Sequence, residues 1–202
     1  MDQTEVMNRA AVIMGEQRIA DPGDDTKVAR ELSAIWDTTR RSLFRSYRWG
    51  CLMKRAQLAA SATVPLHQFA YQFPIPADFV RLDYIGPFFA GVSLTDYRTS
   101  SEALWAMVAT ATGRAIETSL PAPLDIRYVA DIEVVTYWDD GLIDAMACKL
   151  ATDAVYSITK NRLAIERADR AFALAITSAI STGSIERPPE PIPDHSWGLS
   201  RK

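Results

Sequence analysis

The stretch that runs from Asp24-Asp25-Thr26-Lys27-Val28 through Leu32, Ile35-Trp36, Thr39-Arg40-Arg41 and Leu43-Phe44-Arg45 to Ser46-Tyr47-Arg48-Trp49 decides the fold. Val28, Leu32, Ile35, Trp36, Thr39, Leu43 and Tyr47 recur at steps of three and four, which puts them on one face of an α-helix. Lys27, Arg30, Glu31, Asp37, Arg40, Arg41 and Arg45 fall mostly between them, and they read as the solvated side. Asp24, Asp25 and Thr26 are all good N-caps. The arginines at 40, 41, 45 and 48 crowd the other end, where a cation is favoured by the helix dipole. That compensation, with solvation, is preferred here to phosphate contact. Some 22 residues of helix span about 33 Å, so the spacing predicts the longest element of the fold, with the rest packed along it.

Outward from this helix the chain changes character twice. Before it, Thr4 to Met14 reads as a short helix capped by Thr4 and closed by Gly15, with Val6, Ala10, Ile13 and Met14 as its stripe. Asp21-Pro22-Gly23 makes a turn, and the spacing of Asp21, Asp24 and Asp25 suits turn and cap duties rather than a calcium loop. After Trp49-Gly50 the periodicity becomes that of strands. Phe69, Tyr71 and Phe73 are expected on one face, Val80, Leu82 and Tyr84 on another, and Leu124, Ile126 and Tyr128 on a third. Leu104 to Val108 and Arg114 to Thr118 read as a hairpin about Thr112-Gly113. Together they predict a small antiparallel sheet.

From Asp139-Asp140 the helical period returns. Ile143, Ala147, Leu150, Ala154 and Ile158 form one stripe. Beyond the tight connection Lys160-Asn161-Arg162, Ala164, Ala168, Phe172, Ala175, Ile176 and Ala179 form a second, ending near Gly183. So short a link predicts antiparallel neighbours, and the many alanines predict a close approach. Ser184 to Lys202 carries Pro188, Pro189, Pro191 and Pro193 and no periodicity, so it reads as an extended arm. The expected fold is therefore α+β and mainly α. A helical bundle (3–48 and 139–182) carries a β insertion (50–138) within a domain of residues 1–183, followed by the arm at 184–202.

Composition limits the function. The chain has 202 residues, 48% of them hydrophobic, and a net charge of −3. This is enough for a sizeable core and argues against a freely diffusing nucleic-acid binder with a basic face. No apolar run is long enough to cross a bilayer, and the first residues carry Asp2, Glu5 and Arg9 where a signal peptide would be apolar. Synthesis in the cytoplasm and no membrane partner are expected. Cys51 and Cys148 lie far apart, without a CxxC or Cys/His grouping, and read as buried reduced thiols. His67 and His195 lack the signature of a nucleophile partner. Asp78, Asp83, Asp139 and Asp140 are nominal candidates for a glycosidase pair, but Asp139 and Asp140 read better as helix caps. Trp49, Trp105 and Trp138 stand at junctions and read as core. Neither a catalytic group nor a cofactor or metal site is expected.

The order of segments says more than any one residue. Met14-Gly15-Glu16 precedes the long helix, which ends Leu43-Phe44-Arg45-Ser46-Tyr47-Arg48-Trp49. Lys54-Arg55-Ala56 follows, then Tyr71-Gln72-Phe73-Pro74-Ile75-Pro76-Ala77-Asp78-Phe79-Val80-Arg81-Leu82, then Pro121-Ala122-Pro123-Leu124-Asp125-Ile126-Arg127-Tyr128-Val129, then the alanine-rich pair. Over residues 3 to 182 this resembles the tail tubular protein A family, the head-to-tail adaptors (connectors) of short-tailed phages. Departures from the family pattern fall at Arg48-Trp49-Gly50 and at the inserted Ile75-Pro76. The resemblance implies a structural virion protein of the neck. Such a protein forms a homo-oligomeric ring, commonly a dodecamer, between the portal protein and the tail nozzle or fibre proteins, and genome DNA passes non-specifically through its lumen. It also implies that the C-terminal arm engages the portal, with Ile192, Trp197 and Leu199 as the candidate contacts. A connector of a long-tailed phage is the neighbouring reading, and a tail-associated glycan hydrolase is the alternative from a different class.

Overall fold

The computed structural model describes residues 1–86, 88–89, 105–111 and 113–186, and the architecture below is that of these residues. In chain order the elements are helix α1 (Gln3–Met14), helix α2 (Lys27–Ser46), strands β1 (Met53–Leu58), β2 (Tyr71–Pro74), β3 (Phe79–Ile85), β4 (Phe88–Phe89), β5 (Trp105–Thr110), β6 (Gly113–Thr118) and β7 (Leu124–Ala130), then helices α3 (Asp140–Thr159) and α4 (Arg162–Ile185). The fold is α+β, about half helical, as the two periodicities predict.

Each helix starts where a side chain can satisfy free backbone N–H groups. The Asp2 carboxylate accepts from the Glu5 N–H while the Glu5 side chain accepts from the Asp2 N–H, a reciprocal box that displaces the expected cap at Thr4. Thr26 caps α2, Asp139 caps α3 and Asn161 caps α4. Asp24 and Asp21 fold the preceding turn onto their own carboxylates, taking N–H groups from Ala20, Asp21 and Gly23. Asp25 pairs with Arg30. Gly15 ends α1 at φ 82°, the left-handed position its sequence predicts.

The chain organises around α3 and not, as the sequence suggests, around α2. Residues Leu142, Ile143, Ala145, Met146, Ala147, Cys148, Leu150, Ala151, Ala154, Val155 and Ile158 are buried, so α3 is apolar nearly all round. Helices α1, α2 and α4 pack against it. Nor is α2 the longest element: it has 20 residues and α4 has 24, running two residues past Gly183 to Ile185. Helix α2 lies antiparallel to α3, clipped by Lys27 Nζ to the Ile158 carbonyl, Ser157 to Glu31 and Thr39 to Asp153. The expected close approach of α3 and α4 is seen at Gly141, where an added Cβ would stand 3.2 Å from the Ala179 Cβ.

In place of one sheet there are two, both antiparallel, with orders β1-β7-β3-β4 and β2-β6-β5. β7 explains the division. Leu124, Ile126 and Tyr128 point to one side and build a second core with Phe73, Phe79, Ile85 and Ile116, whereas Val129 points to the other side and joins the helical core with Val80. The first sheet is thus a middle layer between the helices and the second sheet. Bulges between Phe79 and Arg81 and between Leu82 and Tyr84 break the alternation of β3. Val80 therefore faces the helices, Leu82 joins the other core and Asp83 is buried, so the expected shared face of Val80, Leu82 and Tyr84 does not form. The strand expected to carry Phe69, Tyr71 and Phe73 on one face begins only at Tyr71, after the left-handed Gln68 at φ 73°. Phe69 and Phe73 are buried, while Tyr71 is exposed.

An Asp at position 150, wholly buried at the centre of α3, would sit with no partner in the helical core. Leu150→Asp is expected to cost about 3–5 kcal/mol and to leave little soluble folded protein, which expression and circular dichroism would check.

Candidate functional site

The most concentrated charge chemistry is the seam between the end of α2 and the first sheet. Asp83 sits in β3 at the bulge, its side chain 5% exposed, between Arg48 from the helical body and Arg127 from β7. Arg127 Nε donates to Oδ2 at 2.6 Å, and the Arg48 guanidinium donates to the same oxygen at 2.9 Å. About two turns back along α2, Arg40 is equally buried and meets Asp131 at 3.1 Å, Asp37 at 3.0 Å and Glu133 at 3.2 Å. Arg45 donates to the Val80 carbonyl, and Arg81 of β3 donates back to the Arg45 carbonyl. The reading of these arginines as a solvated, dipole-compensating end of the helix is overturned for 40 and 48. The sheet docks there, and the cations are its attachment. Arg41, 3.7 Å from Asp131, and Arg45 remain exposed.

Aromatic rings lock the same joint. Trp138 stacks on Trp36 with centroids 6.1 Å apart, meets Phe44 edge-on at 5.4 Å and donates its indole N–H to the Ile132 carbonyl. Trp49 donates to the Leu43 carbonyl and closes the end of α2. The expectation that Trp49 and Trp138 are core holds, and Trp105 is half-buried beside the second core.

Of the carboxylates considered for hydrolysis, Asp78, Asp83 and Asp139 each have another partner. Asp78 accepts from Lys54 Nζ at 2.7 Å and from the Tyr128 hydroxyl at 3.0 Å. Asp139 caps α3, and Asp140 is its first residue. An open cleft lies where Tyr47, Arg48, Trp49 and Gly50 meet the start of α3 and the end of α4, with Asp139, Asp140, Asp144 and Glu186 on its walls. Asp144 is held there by Arg9 of α1. Among the described residues no three His, Cys, Asp or Glu side chains gather in a way that would ligate a metal. His67 lies exposed in the loop before β2. His195 lies outside the described residues, as do the arm positions Ile192, Trp197 and Leu199.

Burial pushes the Cys51 thiol up to about 12, with the Asp139 carboxylate beside it adding to the rise and a backbone hydrogen bond to Asp139 working against it. Cys51 is half-buried rather than buried; Cys148 is buried, and its thiol is raised too, by desolvation and then by Asp144. Both are free thiols, as their spacing predicts. Tyr128 is pushed up to about 12 by burial and then by Asp78. For Asp78 itself, burial works upward, but the hydrogen bonds from Lys54 and Tyr128 outweigh it and hold the carboxyl below its ordinary value.

Two features escape a first reading of the sequence. Arg40 stands four residues after Trp36 and eight after Leu32, inside the apolar stripe of α2, and that position was the available sign that it is buried. The other is the outer face of α4, where Leu163, Leu174 and Ile185 stand 75%, 68% and 81% exposed. Their eleven-residue spacing is legible in the sequence, but only the packing shows that nothing in the described residues covers them.

Removing Asp83 takes away the carboxylate that Arg48 and Arg127 share. Asp83→Ala is expected to destabilise by about 3–5 kcal/mol in chemical denaturation, and Arg40→Ala by a similar amount. Alkali should loosen the same protein. The raised Cys51 and Tyr128 stabilise the fold fully below their unfolded values of 9.0 and 10.0, and they lose that contribution as pH rises toward about 12. Cys51→Ala with Tyr128→Phe should flatten the fall in stability between pH 9 and 12, measured by thermal melts. At the acid end Asp78 works in the opposite sense. Its contribution is present above 3.8 and disappears as pH falls through its lowered folded value.

No family model matches the chain, and no curated protein matches its sequence.

Proposed function

We propose that this chain is a structural virion protein, a head-to-tail adaptor that forms a ring between a portal and a tail nozzle, with genome DNA passing through its lumen. The order of segments that resembles the tail tubular protein A family is the basis of the reading. The observation that carries it further is the placement of apolar side chains on connections and not only in the body. Leu66 is 99% and Val64 66% exposed, on either side of Pro65 in the loop before β2. Among the described residues such side chains join neither core, and they suit contact with a neighbour. A ring built head-to-tail needs two different surfaces on each subunit. The loop supplies one, and the arm that follows α4 supplies an anchor toward the portal.

The rigid joint between helices and sheets supports the same role. A subunit that transmits attachment from one neighbour to another must keep its two halves in fixed relation, and the buried Asp83 and Arg40 clusters do so. The lumen is a passage, not a grip: strong phosphate binding would oppose genome exit, and the chain's net charge of −3 suits weak contact.

A chain ending at Glu186, just past α4, is expected to fold as the full chain does and to lose attachment to its portal ring in negative-stain images, while Trp197→Ala weakens attachment without shifting the melting temperature. If the shortened chain decorates portal rings as densely as the full chain, the arm has no such role. The full chain should leave duplex DNA unshifted at micromolar concentration in physiological salt.

A further inference from the structure

We propose that in the free chain the C-terminal arm lies against its own body, with Glu190-Pro191-Ile192-Pro193-Asp194 seated in an arginine-lined groove where the end of α2 meets the two sheets. This goes beyond the adaptor reading and does not rest on it, because neither a portal nor a second copy takes part.

The groove has a volume of about 310 Å³. Arg45 at the end of α2, Arg81 of β3 and Arg114 of β6 converge on it from three separate elements, and Phe79, Leu82 and Trp105 line it with them. Among the described residues no Asp or Glu lines it. Arg45 donates to the Val80 carbonyl at 3.0 Å. Arg114 donates to the Phe79 carbonyl at 3.4 Å and lies 5.7 Å from the centre of the Phe79 ring. Neither of these two pairs with a carboxylate among the described residues, and each guanidinium keeps further N–H groups for an acceptor. Cations gathered beside apolar walls without a counter-charge focus a field that selects an anion. The aromatic and aliphatic lining makes the fitting ligand one that carries an apolar side chain between its carboxylates.

What names the occupant is where the described chain stops. Helix α4 ends at Ile185, and Glu186 lies on the wall of the open cleft that Tyr47 and Arg48 also line. Arg45 stands three residues before Arg48, about one helical turn, so the cleft and the groove adjoin at the end of α2. Residues 187–202 continue from that point. At about 3.1 Å per residue for a proline-rich segment, Glu190 reaches about 12 Å from Glu186 and Asp194 about 25 Å. The charges of the arm run in the order of the surfaces it meets. Arg187 comes first, beside the cleft walls with Asp139, Asp140 and Asp144. Glu190 and Asp194 follow with Ile192 between them, where the arginines and the apolar lining begin, and no Lys or Arg occurs from Pro188 to Ser200. The prolines reduce the ordering entropy of such a contact. A segment tethered within reach is also favoured over the same segment of another copy, by an effective concentration on the order of millimolar.

The test places a thiol on each side of the contact in the full chain, with Cys51→Ala and Cys148→Ala removing the native ones. Ala109 is exposed on the β5 wall of the groove. With Ala109→Cys and Pro191→Cys, mild oxidation at about 1 µM protein should close an intramolecular disulfide at least about tenfold faster than in a control with Leu163→Cys and Pro191→Cys. Leu163 is exposed at the far end of α4, about 33 Å from Ile185. Arg114→Glu, at an exposed position of β6, should slow the groove cross-link about tenfold with an unchanged circular dichroism spectrum, and adding Glu190→Arg should restore it. Sodium chloride at about 0.5 M should slow it too. A groove cross-link no faster than the control overturns the docking. So does a rate that neither Arg114→Glu nor salt moves, since proximity without charge recognition is not this contact. A disulfide that joins two chains and grows with concentration would mean that the groove holds the arm of another copy, and it overturns the proposal as well.

Discussion

Two elements of very different origin, the end of a long helix and a bulged strand, meet at the side chain of Asp83. Taking that carboxylate out of water is costly, and only the guanidiniums of Arg48 and Arg127 on either side make it tolerable. Because one cation belongs to the segment leaving α2 and the other to β7, the ion cluster fixes a geometry and not merely a contact. The bulges of β3 place the aspartate there. Without them the residue at 83 would alternate with its neighbours and could not face the helical body while Ile85 faces the second sheet. The Arg40 cluster repeats the arrangement about two turns away, with the connection after β7 supplying Asp131 and Glu133.

Packing and polarity divide the work at this joint. Apolar burial of α3 and of the two faces of the first sheet supplies the driving force for collapse, and it is indifferent to small rotations. The buried ion clusters and the hydrogen-bonded indoles of Trp49 and Trp138 are directional, so they select one orientation among those that bury equal area. A protein whose proposed work is to hold two neighbours in register depends on that selection more than on an additional margin of stability. This accords with the position of the charges, which are concentrated at the joint and sparse in the two cores.

The helices also differ in what they leave unsatisfied. α3 is enclosed by α1, α2 and α4, whereas α4 covers α3 with one face and presents a second aliphatic line to solvent. In the same way the loop at Val64 and Leu66 carries apolar area that joins neither core among the described residues. The described body therefore leaves apolar side chains exposed on a loop and on the back of a helix.

The sequence by itself determined the local elements and their class. The period of α2, α3 and α4, the glycine that ends α1, the hairpin between β5 and β6 and the inward set Leu124, Ile126 and Tyr128 all follow from spacing, because side-chain direction repeats every 3.6 or 2 residues whatever the surroundings. Tertiary structure decided what spacing cannot express. A buried arginine and a solvated one have the same letter, and at Arg40 and Arg48 the choice was made by carboxylates 91 and 35 residues away. A bulge inserts one residue into the pleat and reverses the faces after it, so β3 read as regular alternation and folded otherwise. Which helix is central depends on how many others choose to cover it, a property of the assembled core and of no single stripe. Even the exposed line on α4, with its regular spacing, became visible as a surface only once the opposite face of the same helix had been placed against α3.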